Sequence, residues 1–509
     1  MNLNFPVWDL GIAPGLLIAI VATLHVFVSH FAIGTGLFLV LTERKAYRDD
    51  DKDLLAFLKR HSLIFILFSV VFGAITGVGI WFVIGLINPS ATSSLIHAFV
   101  FGWAIEWVFF IVEIIAGLIY YYSWERLERR THLIIGWIYF VSAWLSLVVI
   151  NGIVTFMLTP GGWLENQNFW SGFFNPTYFP SLVSRTFLSL ALAGIYALLT
   201  ASFQEKREFR LKITRYAGKW VIINLLLFGL SLLWYWKVFP DRIIEAAQGA
   251  IPITQSMVGW VYIFFLALIL VTLTVSILLP RLNRAPVAIL VMLLSLGLFG
   301  ATEWVRESLR KPYGIYNYIY INGIFPDQIP EINRNGVLLW ANWVSEEAKS
   351  VRSPDTTGYE IFRTECMNCH SLSGYMNVGR YIEGWDQQYL YETLGRLDVL
   401  RGRMPPFAGT DEERYHVVSY LTGFTGEPRD YDTGKEVYDD RCGNCHTIGR
   451  YRDIIPVTSD FSQSELKEEI IPMLHEMNED MPPFTAGEEA AEKLAKYLSE
   501  LSDTEGQDE

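Results

Sequence analysis

Cys366-Met367-Asn368-Cys369-His370 decides how the C-terminal third of this 509-residue chain is built, and Cys442-Gly443-Asn444-Cys445-His446 repeats it. In C-x-x-C-H, two thiols form thioethers to a c-type haem and the histidine ligates its iron from one side. Each copy also supplies a candidate for the sixth ligand. Met404-Pro405-Pro406-Phe407 follows the first histidine by 34 residues, and Met481-Pro482-Pro483-Phe484 follows the second by 35. Cys366, Cys369, Cys442 and Cys445 are therefore read as attachment points of two covalent haem c groups. His370 with Met404, and His446 with Met481, are the candidate iron ligands. His/Met ligation raises the potential and suits electron transfer rather than O₂ binding. The competing reading, two zinc or dithiol C-x-x-C sites, leaves the matched methionines as coincidence. These four cysteines are all the chain has, so no disulfide framework remains.

Outward from each motif the pattern is again shared. A short helical run precedes each haem motif (358–362 and 434–438), and an amphipathic run follows each methionine (414–424 and 488–501). This order resembles class I cytochrome c. It implies two small α-helical domains, 355–426 and 427–509, the second ending in the acidic tail Asp503-Thr504-Glu505-Gly506-Gln507-Asp508-Glu509. The net charge of −13 owes much to this half and argues against nucleic-acid binding. The acidic face is either simply solvated or a surface for a basic redox partner.

Toward the N-terminus, 306–354 is an aromatic connector carrying Tyr313, Tyr316, Tyr318 and Tyr320, expected along a membrane interface. Residues 1–305 hold apolar runs at 11–41, 61–87, 95–122, 133–158, 181–203, 216–238, 254–279 and 284–305, each long enough to cross about 30 Å of hydrocarbon. The expected fold is all-α: an eight-transmembrane-helix bundle followed by two class I cytochrome c domains. No basic n-region of a cleavable signal precedes the first run. Loops 42–60, 123–132, 204–215 and 280–285 are rich in Lys and Arg, whereas 88–94 and 159–180 have none. The positive-inside rule puts the basic loops in the cytoplasm, and the N-terminus and haem motifs on the extracytoplasmic, periplasmic side of a bacterial inner membrane.

Ionisable groups inside such spans require partners or a function. His25 lies mid-span. His30 is about 140° further round the helix, so both cannot serve one haem face. His61 and His132 adjoin basic loops and read as interfacial, while His97 starts the third run as either an interfacial residue or a ligand. Glu106 and Glu113 share one face about 10 Å apart, spaced either to relay protons or to bond neighbouring helices. Glu303 and Glu307 close the eighth run, before Arg310-Lys311-Pro312-Tyr313.

Together these residues resemble the large, haem-bearing subunit of cytochrome bd oxidases over roughly 1–320. The similar stretches are Leu24-His25-Val26-Phe27 with Glu43, Gly73-Ala74-Ile75-Thr76-Gly77, Ala104-Ile105-Glu106 with Glu113, Trp124-Glu125-Arg126-Leu127, and Glu307-x-x-Arg310-x-Pro312-Tyr313. The resemblance implies His25 and Glu307 as ligands of high-spin haem iron, Glu106 and Glu113 as the proton path, and Met257 as a ligand of a low-spin haem b. Three departures accompany it. Arg185 stands where the low-spin haem's histidine is expected, so that haem is lost or another ligand such as His97 replaces it. Only 239–253 joins the sixth and seventh runs, too short for the family's quinol loop. Cytochrome c domains stand in place of a ninth span. The resemblance is therefore to the cytochrome c-linked, non-quinol branch.

The expectation is a membrane respiratory protein passing electrons from extracytoplasmic haem c to a buried high-spin haem, reducing O₂ to water. Its cofactors would be two haem c and one to three non-covalent b- or d-type haems. Its partners would be a periplasmic cytochrome c or other extracytoplasmic donor, the lipid bilayer and further membrane subunits. A non-enzymatic electron conduit within a larger complex, or a nitric oxide-type reductase, are the alternatives.

Overall fold

The computed structural model describes residues 8–12, 14–350, 354–401 and 403–505. The first seven residues, the 351–353 stretch of the connector and the last four residues of the acidic tail lie outside them. Among the described residues, eight helices are long and apolar enough to cross a membrane: span 1 (Pro14–Arg48), span 2 (Lys52–Ile87), span 3 (Val100–Tyr122), span 4 (Arg129–Leu158), span 5 (Tyr178–Ser202), span 6 (Arg207–Val238), span 7 (Pro252–Leu278) and span 8 (Ala285–Arg310). Hydrocarbon offers no partner to backbone amides, so long apolar runs fold as helices. Several helices outrun the apolar stretches and reach Arg48, Lys52, Arg129 and Arg207, because a hydrogen-bonded helix need not stop where hydrocarbon ends.

Span 5 sits at the centre, against spans 1, 4, 6 and 8. Small residues allow this: a Cβ on Gly34 of span 1 would fall 1.8 Å from Ser189 O of span 5, so only glycine permits the approach. Spans 2, 3 and 7 leave wide apolar faces outward, including Val78, Phe82, Trp107, Leu118 and Leu266. That is the surface of a multi-pass membrane protein.

One end of the bundle carries the basic loops; the other is capped by the C-terminal region. After span 8, β1 (Tyr313–Ile315) and β2 (Ile319–Tyr320) form an antiparallel hairpin, tied to span 4 by Tyr316 N to Met157 O at 3.0 Å. The rest of the connector does not lie apart along an interface. Ile324, Ile332, Val337, Leu338 and Val344 bury in one core with Ile361, Phe362, Val417 and Leu421. The Glu413 carboxylate fixes the join, accepting Val337 N at 2.8 Å and Leu338 N at 3.1 Å. A separate core around Val437, Leu466, Leu494 and Leu498 holds the last region, closed by the helix Glu488–Glu505.

Candidate haem sites and the path between them

Each haem motif starts at the C-cap of a helix, Tyr359–Glu365 or Gly434–Arg441, the latter started by a Thr433/Glu436 capping box. The helical turn carries on into the motif: Cys366 O accepts His370 N at 2.8 Å, and Cys442 O accepts His446 N at 2.9 Å. Six residues after each histidine stands a left-handed residue, Met376 (φ 59°) or Arg452 (φ 46°). Its carbonyl accepts the amide following the histidine, at 3.1 Å and 3.3 Å respectively. Arg452 O also lies 3.1 Å from His446 Nδ1, so Nδ1 carries the proton and Nε2 is left to bind metal. Burial lowers the His370 pKa to about 4, keeping the ring in the neutral form that ligation needs. Burial also raises the Cys442 thiol to about 12 and the Cys366 thiol higher still, so neither is a free reactive thiolate. Met404 and Met481 are half-buried; the phenylalanines of their motifs, Phe407 and Phe484, pack on the two cores. Paired thiols beside a metal-ready imidazole fit haem c.

In the bundle, Thr76 of span 2 donates to Phe72 O at 2.8 Å, so its oxygen accepts His25 Nδ1–H at 3.2 Å. Ser29 donates to His25 O at 2.9 Å, which leaves His25 Nε2 with its lone pair. A Cβ on Gly77 would come within 3.0 Å of His25 Cε1, so glycine makes the space beside this ring. His25 thus fits an axial iron ligand. Glu307, at the capped end of span 8, pairs with Arg310 and keeps a third of its surface open. It stands seven residues, about 10 Å of helix, beyond Gly300, where a Cβ would lie 3.8 Å from Thr23 Cγ2 of span 1.

Arg185 is occupied. It approaches His30 Nε2 at 3.4 Å and donates to Glu303 Oε1 at 3.1 Å, while Arg306 holds the other Glu303 oxygen at 2.9 Å. His97 does not begin span 3. It lies exposed in a separate helix, Pro89–Ala98, broken from the span at Phe99 (φ −127°, ψ 31°), with Nδ1 bonded to Ser93 O at 2.8 Å. Met257 lies near the start of span 7, which packs on spans 6 and 8.

Glu106 accepts from Ser146 Oγ at 2.8 Å and Glu113 from Tyr139 OH at 3.0 Å, both donors on span 4. His61 and His132, expected beside the basic loops, are buried there inside the bundle. His61 Nδ1 meets Thr200 Oγ1 at 2.9 Å, and His132 meets Glu43 at 2.7 Å. Proximity to basic loops concealed both, because the helices carry them inward of the loops.

Three contacts were not legible as functional in the sequence. Asn368, inside the first haem motif, donates to Ile87 O at the capped end of span 2 at 2.5 Å. Its counterpart Asn444 bonds within its own region, to Asp440 O at 3.0 Å. Arg401 bridges three segments, donating to Ala250 O at 2.8 Å, Gly249 O at 2.7 Å and Gly443 O of the second haem motif at 3.2 Å. Arg450 reaches Gln248 O at 3.3 Å. The C-terminal region therefore sits on the short 239–253 connection, beside a cleft lined by Glu245, Gln248, Gln255 and Tyr451.

Residues 16–235 match the family "Cytochrome bd terminal oxidase subunit I". Residues 353–421 and 429–498 each match "Cytochrome C oxidase, cbb3-type, subunit III". No curated protein matches the chain. Among solved structures, the bd oxidase from Geobacillus thermodenitrificans is similar in fold, with 16% identity over 66% of this chain and 96% of that chain and a TM-score of 0.55. The chain joins a cytochrome bd oxidase subunit I domain to two cbb3-type cytochrome c domains, as its motifs foretold, and respiratory electron transfer follows from that pairing.

Proposed function

We propose that this chain, a bd oxidase subunit I domain carrying two cytochrome c domains, is a cytochrome c-linked oxygen reductase. The observation that carries the reading is the Asn368–Ile87 contact together with its sequel along span 2. The first haem motif is bonded to the capped end of that helix, and eleven residues further in, about 16 Å, Thr76 and Gly77 hold His25. Arg401, in the first c domain, separately ties Gly443 O of the second haem motif to Gly249 O and Ala250 O of the membrane domain. The 239–253 connection, where a quinol loop would stand, is covered by Arg401 and Arg450.

His370 with Met404 and His446 with Met481 hold the two haem c irons; His25 and Glu307 hold iron of b- or d-type haem, with Met257 and His97 left as further candidates. When bound, these haems supply electron carriage and the iron at which O₂ is reduced. The chain orients them, excludes water with its apolar core and supplies protons. Glu106 and Glu113, each hydrogen-bonded to span 4, pass protons from the basic end. The basic loops face the cytoplasm and the c domains the periplasm, where an extracytoplasmic donor delivers electrons. A bd subunit I normally pairs with a subunit II, and the apolar outer faces of spans 2 and 3 offer such a subunit a surface in the bilayer.

The test is oxygen consumption by purified protein given reduced cytochrome c or a quinol. The expected result is turnover with cytochrome c well above that with quinol. Oxygen uptake from neither donor leaves an electron conduit; quinol oxidation independent of the c haems contradicts the proposed electron input.

A further inference from the structure

Glu43 of span 1 and His132 of span 4 lie at the basic end of the bundle, 0% and 1% exposed, away from every candidate haem ligand. His132 Nε2 is 2.9 Å from Tyr120 O. A carbonyl has no proton to give, so Nε2 carries one and donates it. His132 Nδ1 is 2.7 Å from Glu43 Oε1. Two lone pairs would repel at that distance, so one proton lies between them, and it has two seats. On Nδ1 it makes imidazolium and carboxylate; on Oε1 it makes neutral imidazole and carboxylic acid. The second Glu43 oxygen accepts Tyr120 OH at 2.6 Å. Half-buried Tyr47 lies one turn along the same helix and interacts electrostatically with Glu43, and the exposed Arg129 lies 4.9 Å over the Tyr47 ring. The buried proton thus has one contact leading toward solvent.

His132, with Tyr120, is also the first of three rungs between spans 3 and 4. Tyr120, Glu113 and Glu106 recur at seven-residue spacing along span 3, and His132, Tyr139 and Ser146 recur at the same spacing along antiparallel span 4. Seven residues make nearly two turns, so each set keeps one face with about 10 Å between rungs. Every rung is hydrogen-bonded across: His132 to Tyr120, Tyr139 to Glu113, Ser146 to Glu106. A clamp between helices needs neither an ionisable pair, which is costly to bury, nor the register with two further carboxylates.

We infer that Glu43 and His132 form the proton-uptake site of this chain, filling the Glu113–Glu106 path from the basic end. The inference rests on the oxygen-reductase reading. The shared proton leaves Glu43 Oε1 and crosses the roughly 10 Å gaps to Glu113 and then Glu106 through bridging water molecules, and one from solvent on the Tyr47 side replaces it. Each O₂ takes four electrons by way of the c domains and four protons by this route, giving two waters, and every relay residue returns to its starting state.

The test uses the full-length protein in vesicles with reduced cytochrome c as donor, comparing wild type, Glu43→Gln, Glu43→Asp and Tyr47→Phe. Oxygen turnover, proton uptake by a pH dye, haem content and the CO spectrum are measured together. Glu43→Gln is expected to slow turnover and proton uptake on the order of 10²-fold with haem content and CO spectrum unchanged. Glu43→Asp should recover most of the rate with an altered pH profile, which a purely structural role would not produce. Tyr47→Phe should slow proton uptake by itself, and gives the answer if Glu43→Gln loses haem. Wild-type uptake rates in Glu43→Gln, or in Tyr47→Phe when the other variant is misassembled, overturn the inference alone. A wild type that consumes no oxygen overturns the oxygen-reductase reading and this inference with it.

Discussion

Arg185 Nη1 stands 3.4 Å from His30 Nε2 while its Nη2 donates to Glu303 Oε1 at 3.1 Å. One guanidinium on span 5 thus ties span 1 to span 8, at the position where a low-spin haem's histidine is expected from the bd resemblance. Its planar fork presents donors to both partners from two separate nitrogens held in fixed geometry, which a single ammonium nitrogen does not reproduce.

Replacing Arg185 by Gln removes one of the two cations that neutralise Glu303 and leaves His30 facing a weaker donor. A buried carboxylate stripped of a partner costs about 3 kcal/mol, so the unfolding midpoint in detergent should fall clearly, with Arg185→Lys intermediate. An unchanged midpoint in Arg185→Gln would mean that Arg306 alone satisfies Glu303.

The two haem motifs differ in what their asparagines hold. Asn368 is bonded to Ile87 O and Asn444 to its own region. Asn368→Ala should slow internal electron transfer into the membrane domain several-fold while leaving both haem c potentials in place, and Asn444→Ala should not. Stopped-flow reduction followed at each haem distinguishes them; equal effects would contradict the docking role.

Much of this was legible because membrane physics is severe. Eight apolar runs had to be helices, and the two C-x-x-C-H motifs pointed to the two cytochrome c domains that the family match shows. Arg185 was visible as a departure, but its partners come from spans 1 and 8 and only folding brings them together. His132 was hidden by three neighbouring basic residues: sequence shows proximity to a loop, not that the helix turns the ring inward onto Glu43. The seven-residue repeat 106/113/120 against 132/139/146 was present in the sequence, and the signal was missed because helix pairing was not yet known. Likewise Phe99, whose backbone ends the His97 helix, looks like any other apolar residue in its run.

Glu365, buried beside Cys366, accepts Asn322 Nδ2 at 3.0 Å on one oxygen, while the other has no hydrogen-bond partner among the described residues. Burial raises its pKa well above 4.5, helped by the Glu413 carboxylate nearby. A raised folded-state value means that the folded chain holds this proton after the unfolded chain has lost it, so stability falls as pH rises above about 4.5. Glu365→Gln should flatten that slope in thermal unfolding of the full-length protein measured from pH 5 to 8. An unaltered slope would mean that Glu365 is already ionised in the folded state.

Residues 427–509 carry eight Lys and Arg against 22 Asp and Glu, a net of −14, more than the whole chain's −13. A basic donor would be steered to this end, with an on-rate that drops as salt screens the field. Turnover with a basic cytochrome c at limiting donor concentration should therefore fall several-fold between 20 and 200 mM salt, over which the Debye length drops from about 20 Å to about 7 Å, whereas an acidic donor should remain slow throughout. Salt-independent turnover with the basic donor would assign the acidic surface to solubility alone.

The most direct measurement of the central claim is the CO-minus-reduced spectrum of purified wild type and of His25→Ala, with pyridine haemochrome quantification of both. An oxygen reductase needs an open iron position, and His25, with its Nδ1 against Thr76 Oγ1, is the ligand proposed for that haem. The account predicts a CO-binding b- or d-type component beside two haem c in the wild type, and loss of that component with both haem c retained in His25→Ala. A wild type that binds no CO, or a His25→Ala variant that binds it unchanged, would contradict the account.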